Sequence, residues 1–426
     1  MTAQKKLVII GTGLAGYMLA KEWRKLDTLT PLILITQDDG NFYSKPLLST
    51  ALANKKQAHE LVVFNSEAMA KDLNATILTH TSVLAIDSPN KQIVLENDSI
   101  PVGFQEAGEA RASSRSGAYI EYVSSEMSTQ QSQNLKGDGY IDYGNLVLAC
   151  GADLVLPTIK GNAQNEIAAV NNLIDYQKFR HWLKNKKNIA IMGTGLVGCE
   201  FANDLVQAGY QITLISPDHH PLSSLVPSPI GFALQQAFSQ QGVTFKLNRW
   251  VVEVNHYQDK FQIGLDNGEK LIVDGVFSAV GLRPQLRLAQ SAAVKVNEGI
   301  VVDRWFRTSD FNIFALGDCA EVNGLIKQYV APILQGSKAL AKTLAGESTP
   351  VHYPIMPVVI KTPFFPLVCY PPPKNKVGEW HYEGESQHQR ALFFDHEGQL
   401  QGYVLAGEKV REKMALAKEL PLVFSE

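Results

Sequence analysis

One pattern occurs twice in this chain and constrains its fold more than any other feature. Residues 7–26 read LVIIGTGLAGYMLAKEWRKL, and residues 189–208 read IAIMGTGLVGCEFANDLVQA. Each is a short apolar run, a glycine cluster, then apolar positions at helical spacing. Each leads to a second apolar run, Leu32 to Ile35 and Ile212 to Ile215. A β–α–β unit is therefore expected twice. The separation is too large for a solenoid repeat and suits two nucleotide-binding domains.

Both glycine clusters have the spacing G-x-G-x-x-G. The first holds Gly11, Gly13 and Gly16, and the second holds Gly193, Gly195 and Gly198. A diphosphate needs this design. The first glycine permits a tight turn, the second lets backbone approach the phosphates, and the third lets helix and strand pack. The N–H groups at the helix start, from Leu14, Ala15 and Gly16 or from Leu196, Val197 and Gly198, then face the negative oxygens. One such match is weak, since a tight structural turn also collects glycine. Two in the same strand–loop–helix setting are much stronger. An acid for the adenosine ribose belongs at the end of the following strand. There the chain has Thr36 with Asp38 and Asp39 just after, and Ser216 with Asp218 just after. Neither aspartate is at the standard place. Lys and Arg are absent between Lys187 and Lys246, so NADH is favoured over NADPH at the second loop. His219 and His220 read as a solvated turn.

Length and composition bound the rest. A chain of 426 residues suggests two to four domains. A net charge of −3 gives no general electrostatic case for nucleic acid. The four cysteines, Cys150, Cys199, Cys319 and Cys369, form no C-x-x-C, so no redox dithiol or metal site is expected. Sparse cysteine without an export signal points to a reducing cytoplasm. No uncharged apolar stretch is long enough to span a membrane. The nearest candidate, Tyr353 to Tyr370, is broken by Pro354, Pro357, Pro363 and Pro366. Residues 101–140, rich in Ser, Gln, Gly and Glu, read as a solvent-exposed, partly disordered excursion with one strand at Tyr119 to Val123. Further strands are expected at Leu146 to Cys150, Val276 to Val280 and Phe311 to Leu316, and a helix at 331–345. Beyond residue 348 lies a third, smaller unit ending in an amphipathic stretch, Ala406 to Leu420.

Three further motifs carry a resemblance. Leu146-Val-Leu-Ala-Cys-Gly-Ala152, Gly281-Leu-Arg-Pro284 and Phe314-Ala-Leu-Gly-Asp318, joined to two dinucleotide folds, resemble the FAD-dependent pyridine nucleotide reductases. The resemblance covers most of the chain apart from 101–140. It implies an α/β fold class: two Rossmann-like, glutathione-reductase-like dinucleotide-binding domains plus a smaller α+β C-terminal domain. The implied boundaries are 1–156 with 285–347 for FAD, 157–284 for NAD, and 348–426 for the last domain. It also implies that Asp318 bonds the ribityl chain of FAD and that Gly281 lines a cofactor site. Within the class, Phe42-Tyr-Ser-Lys-Pro-Leu-Leu-Ser49, Thr79-His-Thr81, Lys361-Thr-Pro363, Pro371-Pro-Pro373 and the 412–421 ending resemble the rubredoxin–NAD reductases. That narrower resemblance implies Lys45 and Lys327 near the flavin, where a cation stabilises the anionic reduced ring. Either is otherwise a solvated lysine. Glu200 is the glutamate of a lysine–glutamate pair that orients the carboxamide of NADH in relatives. Thr50 stands where many relatives carry the lysine, which puts that pair in doubt. Glu200 is otherwise a carboxylate favoured by its helix dipole.

The resemblance leaves the acceptor to be argued. Disulfide reductases of the class use a cysteine pair beside the flavin, and its oxidases and coenzyme A disulfide reductases use one cysteine near residue 45. The first cysteine here is Cys150. What remains is transfer from reduced FAD directly to an outside one-electron iron carrier, with rubredoxin the first choice and the reductase a monomer. Lys409, Arg411, Lys413 and Lys418 would steer an acidic carrier toward the third unit and Lys327. Alkane hydroxylation and oxygen detoxification are associations of that family. The alternatives are a ferredoxin reductase of an oxygenase system and a non-catalytic redox-sensing protein that binds FAD and NADH; fold alone does not choose among them.

Overall fold

The computed structural model describes residues 6–96 and 139–424. Up to residue 138, the 101–140 excursion and its expected strand lie outside the described residues. The chain divides into two compact units. The first takes Met1–Tyr43, Val62–Ala152 and Pro284–His352. The second takes Ser44–Leu61, Asp153–Arg283 and Tyr353–Glu426.

The first unit is built on a five-stranded sheet in the order Ile313–Ala315, Asn145–Leu148, Leu7–Ile10, Leu32–Ile35, Thr76–Leu78. Every neighbouring pair is parallel, with Leu7 opposite Leu32 on one side and Asn145 on the other. Parallel strands are covered on both faces, so they read as unbroken apolar runs. Accordingly, all four residues of Leu7–Ile10 are buried. The helix Leu14–Arg24 follows the first glycine cluster and packs against the helix Val330–Leu344. That second helix is close to the expected 331–345. The order of connection reverses between Leu7–Ile10 and Asn145–Leu148. In open α/β sheets, ligands bind outside the carboxyl ends of strands at such a point.

The second unit repeats the arrangement with four parallel strands, Thr244–Leu247, Gln211–Ser216, Asn188–Met192 and Gly275–Ser278. Its switch point lies between Asn188–Met192 and Gly275–Ser278, and the helix Leu196–Gln207 starts there. The same unit contains a five-stranded antiparallel sheet, in the order Val358–Ile360, Leu367–Tyr370, Leu400–Ala406, His388–Asp395, Gly378–Glu385. Its inner strand Leu400–Ala406 is buried throughout, whereas the edge strand Gly378–Glu385 is mostly exposed. The chain end differs from one amphipathic helix. Residues Gly407–Glu412 form a 3-10 turn and Lys413–Leu416 a single α-turn. Gly407 at φ +58 breaks the strand into the turn, and Tyr403 donates its hydroxyl hydrogen bond to the carbonyl of Lys413 at 2.8 Å. Leu416 and Leu420 still fill the core, so the apolar spacing reported burial without reporting a long helix. Among the described residues, no helix is long and apolar enough to cross a membrane.

Candidate functional site

The glycines of each loop divide by what they touch. A Cβ on Gly11 would collide with the carbonyl oxygen of Ala149, and one on Gly16 with the carbonyl of Gly11. Gly11 also has φ +112, which favours glycine. Both are glycine because the protein's own backbone fills the space. Gly13 is different. It has φ −66, open to any residue, and a Cβ there would meet nothing within 4 Å. The protein makes no demand for glycine at this position, so the bare backbone is space kept for a guest. The second loop matches: Gly193 at φ +101 abuts Ala279, Gly198 abuts Gly193, and Gly195 at φ −72 meets nothing within 4 Å. Ala149 and Ala279 occupy corresponding places just after the neighbouring parallel strand.

Neither helix start carries a side-chain cap. The first helical bonds run from the N–H of Tyr17 to Gly13 and of Cys199 to Gly195, at 3.1 and 3.0 Å. The N–H groups of Leu14, Ala15 and Gly16, and of Leu196, Val197 and Gly198, lie ahead of those bonds, where an anion is stabilised. A dinucleotide diphosphate fits both cradles.

The ribose ends match as well. Thr36 donates to Asp38 at 2.6 Å, and Ser216 donates to Asp218 at 2.8 Å. Asp38 also accepts the N–H of Gly40 at 2.9 Å. Each aspartate is thus fixed by a hydroxyl two residues earlier. The sequence reading missed Arg249. Its backbone N–H bonds the carbonyl of Ser216, and that of Asn248 bonds Asp218, both at 3.0 Å. Strand pairing brings this basic residue to the second ribose end, although it lies far along the chain. His219 is exposed, but His220 is 2% exposed and a Cβ on Gly231 would strike its ring. His220 is therefore a packed ring and not a solvated one.

The loop of Asp318 lies against the first glycine helix. Gly317 has φ +88, and a Cβ there would stand 2.7 Å from that of Ala15. Gln328 donates to the carbonyl of Asp318 at 3.3 Å. Lys327, next in the chain, is half-buried, and burial pulls its ammonium below the ordinary lysine value. Among the described residues no carboxylate pairs with it. In the second unit, Gly281 at φ +124 accepts the N–H of Val155 at 3.0 Å. The two loop cysteines are packing groups. Cys319 points its thiol at the carbonyl of Leu148, and burial raises its pKa to about 11. Cys199 donates to Thr194 and is raised further, by burial and then by Glu200.

The helix Leu196–Gln207 buries a polar face at Glu200, Asn203 and Asp204, the i, i+3, i+4 positions. Glu200 is 2% exposed. Its Oε2 accepts the hydroxyl of Ser49 at 2.7 Å and pairs with the ammonium of Lys361, while Oε1 accepts the backbone N–H of Lys361 at 3.0 Å. Asn203 accepts the N–H of Phe364 at 3.1 Å. Asp204 accepts those of Ala53 and Leu52, at 2.8 and 3.2 Å. Burial raises the Asp204 carboxyl, against these two bonds. Thr50 bonds the carbonyl of Leu47, and the lysine paired with Glu200 is Lys361. Lys45 opens the 3-10 turn Lys45–Leu47 and donates to Asn171 at 2.6 Å, so it is an anchored lysine and not a freely solvated one.

Comparison with known proteins agrees with this construction. Residues 5–336 match the family described as pyridine nucleotide-disulphide oxidoreductase, and residues 350–420 match a rubredoxin binding C-terminal domain. A rubredoxin-NAD(+) reductase of Alcanivorax borkumensis is 40% identical, over 98% of this chain and 99% of its own length. One from Acinetobacter baylyi is 37% identical, over 97% and 98%. Among solved structures, the covalent putidaredoxin reductase–putidaredoxin complex superposes with TM-score 0.81 at 22% identity, covering 99% of this chain and 94% of that one, which shows the fold. With its two glycine-loop sheets and this match over most of its length, the chain belongs to the pyridine nucleotide-disulphide oxidoreductase family.

Proposed function

We propose that this protein is an NADH-dependent flavoprotein reductase that passes electrons through FAD to rubredoxin. The observation that carries the reading is the pair of cradles, each holding a second glycine that the protein's own packing does not require. Held by the first loop, FAD would supply acceptance of a hydride from NADH and release of its two electrons one at a time to an iron carrier. The chain's task is to bind, orient and bias. The first loop presents the N–H groups of Leu14, Ala15 and Gly16 to the FAD diphosphate, and Asp318, next to the Gly317 that abuts Ala15, is read as the partner of the ribityl chain. The second loop, with Gly281 beside it, does the same for NADH. Asp218 there favours a free ribose hydroxyl over a 2′-phosphate by charge repulsion, while the guanidinium of Arg249 at the same strand end is engaged by the carbonyl of Asn248 at 2.6 Å. Lys327 offers a half-buried cation for the reduced flavin, and Lys45, held by Asn171, is a further candidate for that role. Glu200 serves the nicotinamide end through the lysine it pairs with. The buried, protonated thiols of Cys199 and Cys319 support direct transfer without a sulfur relay.

Three functional domains are read along the chain: FAD-binding at 1–156 with 285–347, NAD-binding at 157–284, and a C-terminal domain at 348–426. The similarity of residues 350–420 to a rubredoxin binding domain supports the last. Four free thiols and the use of NADH support a cytoplasmic location. The test is anaerobic stopped-flow mixing of the NADH-reduced holoenzyme with rubredoxin and, separately, with a 2Fe–2S ferredoxin. Rapid transfer to rubredoxin is the expected result. Transfer to the ferredoxin alone would replace the acceptor, and transfer to neither would leave a sensor.

A further inference from the structure

The buried face of the nucleotide helix raises a question of accessibility. Glu200 is almost closed to solvent, and its carboxylate is engaged by Ser49 and twice by Lys361. It is poorly placed to meet a ligand. Lys361 is the reverse case. Its side chain remains 29% exposed, and its ammonium has three N–H groups with Glu200 as its ion-pair partner. A carboxylate this buried is destabilising unless a cation compensates it, and the pairing in turn fixes the cation. Glu200 lies five positions after Gly195, about 7–8 Å along a helix axis. The ammonium therefore stands within a dinucleotide's length of the diphosphate cradle.

We propose that Lys361, contributed by the segment that resembles a rubredoxin-binding domain, is the residue that contacts the nicotinamide half of NADH, and that Glu200 and Ser49 are positioning residues that aim it. A carboxamide oxygen is the acceptor that such a donor fits. The proposal rests on reading the second loop as the NADH site and deepens it. Backbone bonding from residue 361 to Glu200 persists whatever the side chain, so substitution isolates the ammonium.

The experiment uses FAD-loaded enzyme. Anaerobic stopped flow gives the rate of flavin reduction by NADH, and calorimetry gives the affinity for ADP-ribose, which lacks nicotinamide. Lys361→Met is expected to lose at least tenfold in reduction efficiency while ADP-ribose affinity stays within twofold. Lys361→Arg is expected to recover to within threefold of the parent, and Glu200→Gln to lose less than Lys361→Met. Unchanged NADH kinetics in Lys361→Met, or equal loss of NADH and ADP-ribose, would overturn the proposal. Failure of the parent enzyme to bind ADP-ribose would instead overturn the reading of the loop. Should Lys361→Met not fold because it strands a buried carboxylate, the Glu200→Gln/Lys361→Met double variant removes that charge and is judged by the same two measurements.

Discussion

Gly317 and Ala15 meet so closely that a Cβ on the glycine would stand 2.7 Å from the alanine Cβ. This contact sets the loop of Asp318 against the start of the first nucleotide helix. Gly317 also needs φ +88. Gly317→Ala is therefore expected to cost about 1–3 kcal/mol from backbone strain alone, and to displace Asp318. Flavin stoichiometry after purification and the thermal midpoint should both fall; a full complement of FAD would break the link between this contact and cofactor binding.

Gly13 and Gly195 predict opposite losses from like substitutions. Gly13→Asp should purify without FAD, yet its apoprotein should melt with the parent apoprotein, because a side chain there meets nothing. Gly195→Asp should keep FAD and accept electrons from dithionite, but lose roughly a hundredfold in reduction by NADH, about 3 kcal/mol of repulsion. Absorbance at the flavin band and stopped-flow reduction separate the two.

Lys327 is a half-buried cation whose pKa burial lowers. Below its unfolded value the unfolded chain binds the extra proton, so this residue's contribution grows more favourable as pH rises through the window from the lowered pKa toward about 10.4. Lys327→Met should be at least as stable as the parent near neutrality and should flatten that rise, as read from urea unfolding at the two ends of the window. Lys327→Glu should slow rubredoxin reduction more than hydride uptake. Equal slowing would argue against a role at the electron-exit step.

Asp395 organises a turn in the antiparallel sheet. It accepts the N–H of Gln399, pairs with Lys376 at 3.0 Å, and also takes Gln401 and the N–H of Glu397. These bonds hold its pKa down at about 2. A lowered carboxyl stabilises above its unfolded pKa of about 3.9 and stops doing so as pH falls through its folded one. Acid titration of tryptophan fluorescence should show parent stability lost between roughly pH 4 and 2, with Asp395→Asn already weakened at neutral pH and flatter over that range.

Local sterics made the two glycine loops legible, since the close approaches at Gly11 and Gly193 involve backbone and only one residue type fits. The parallel strands were legible because two-sided burial leaves an unbroken apolar run. The partners of site residues were not. Lys361 and Glu200 are 161 residues apart, Asn171 and Lys45 are 126 apart, and Arg249 reaches the second ribose end through strand pairing. No spacing rule encodes such meetings. The Lys361-Thr-Pro363 motif was visible as a family mark, but the carboxylate it serves appears only in the folded chain. The ending after Ala406 shows the converse: Leu416 and Leu420 pointed correctly to the core, while Gly407 and the single α-turn at Lys413–Leu416 determined a different local geometry.

The outer strand Gly378–Glu385 exposes Glu379 and Glu385 at the edge of its sheet, while Glu383 is paired with Arg390 of the neighbouring strand at 2.6 Å. Open strand edges invite stacking by other chains, and exposed charges on them discourage it. Crowded solutions of this protein should therefore resist fibre growth from that edge, and neutralising Glu379 and Glu385 together would remove the safeguard.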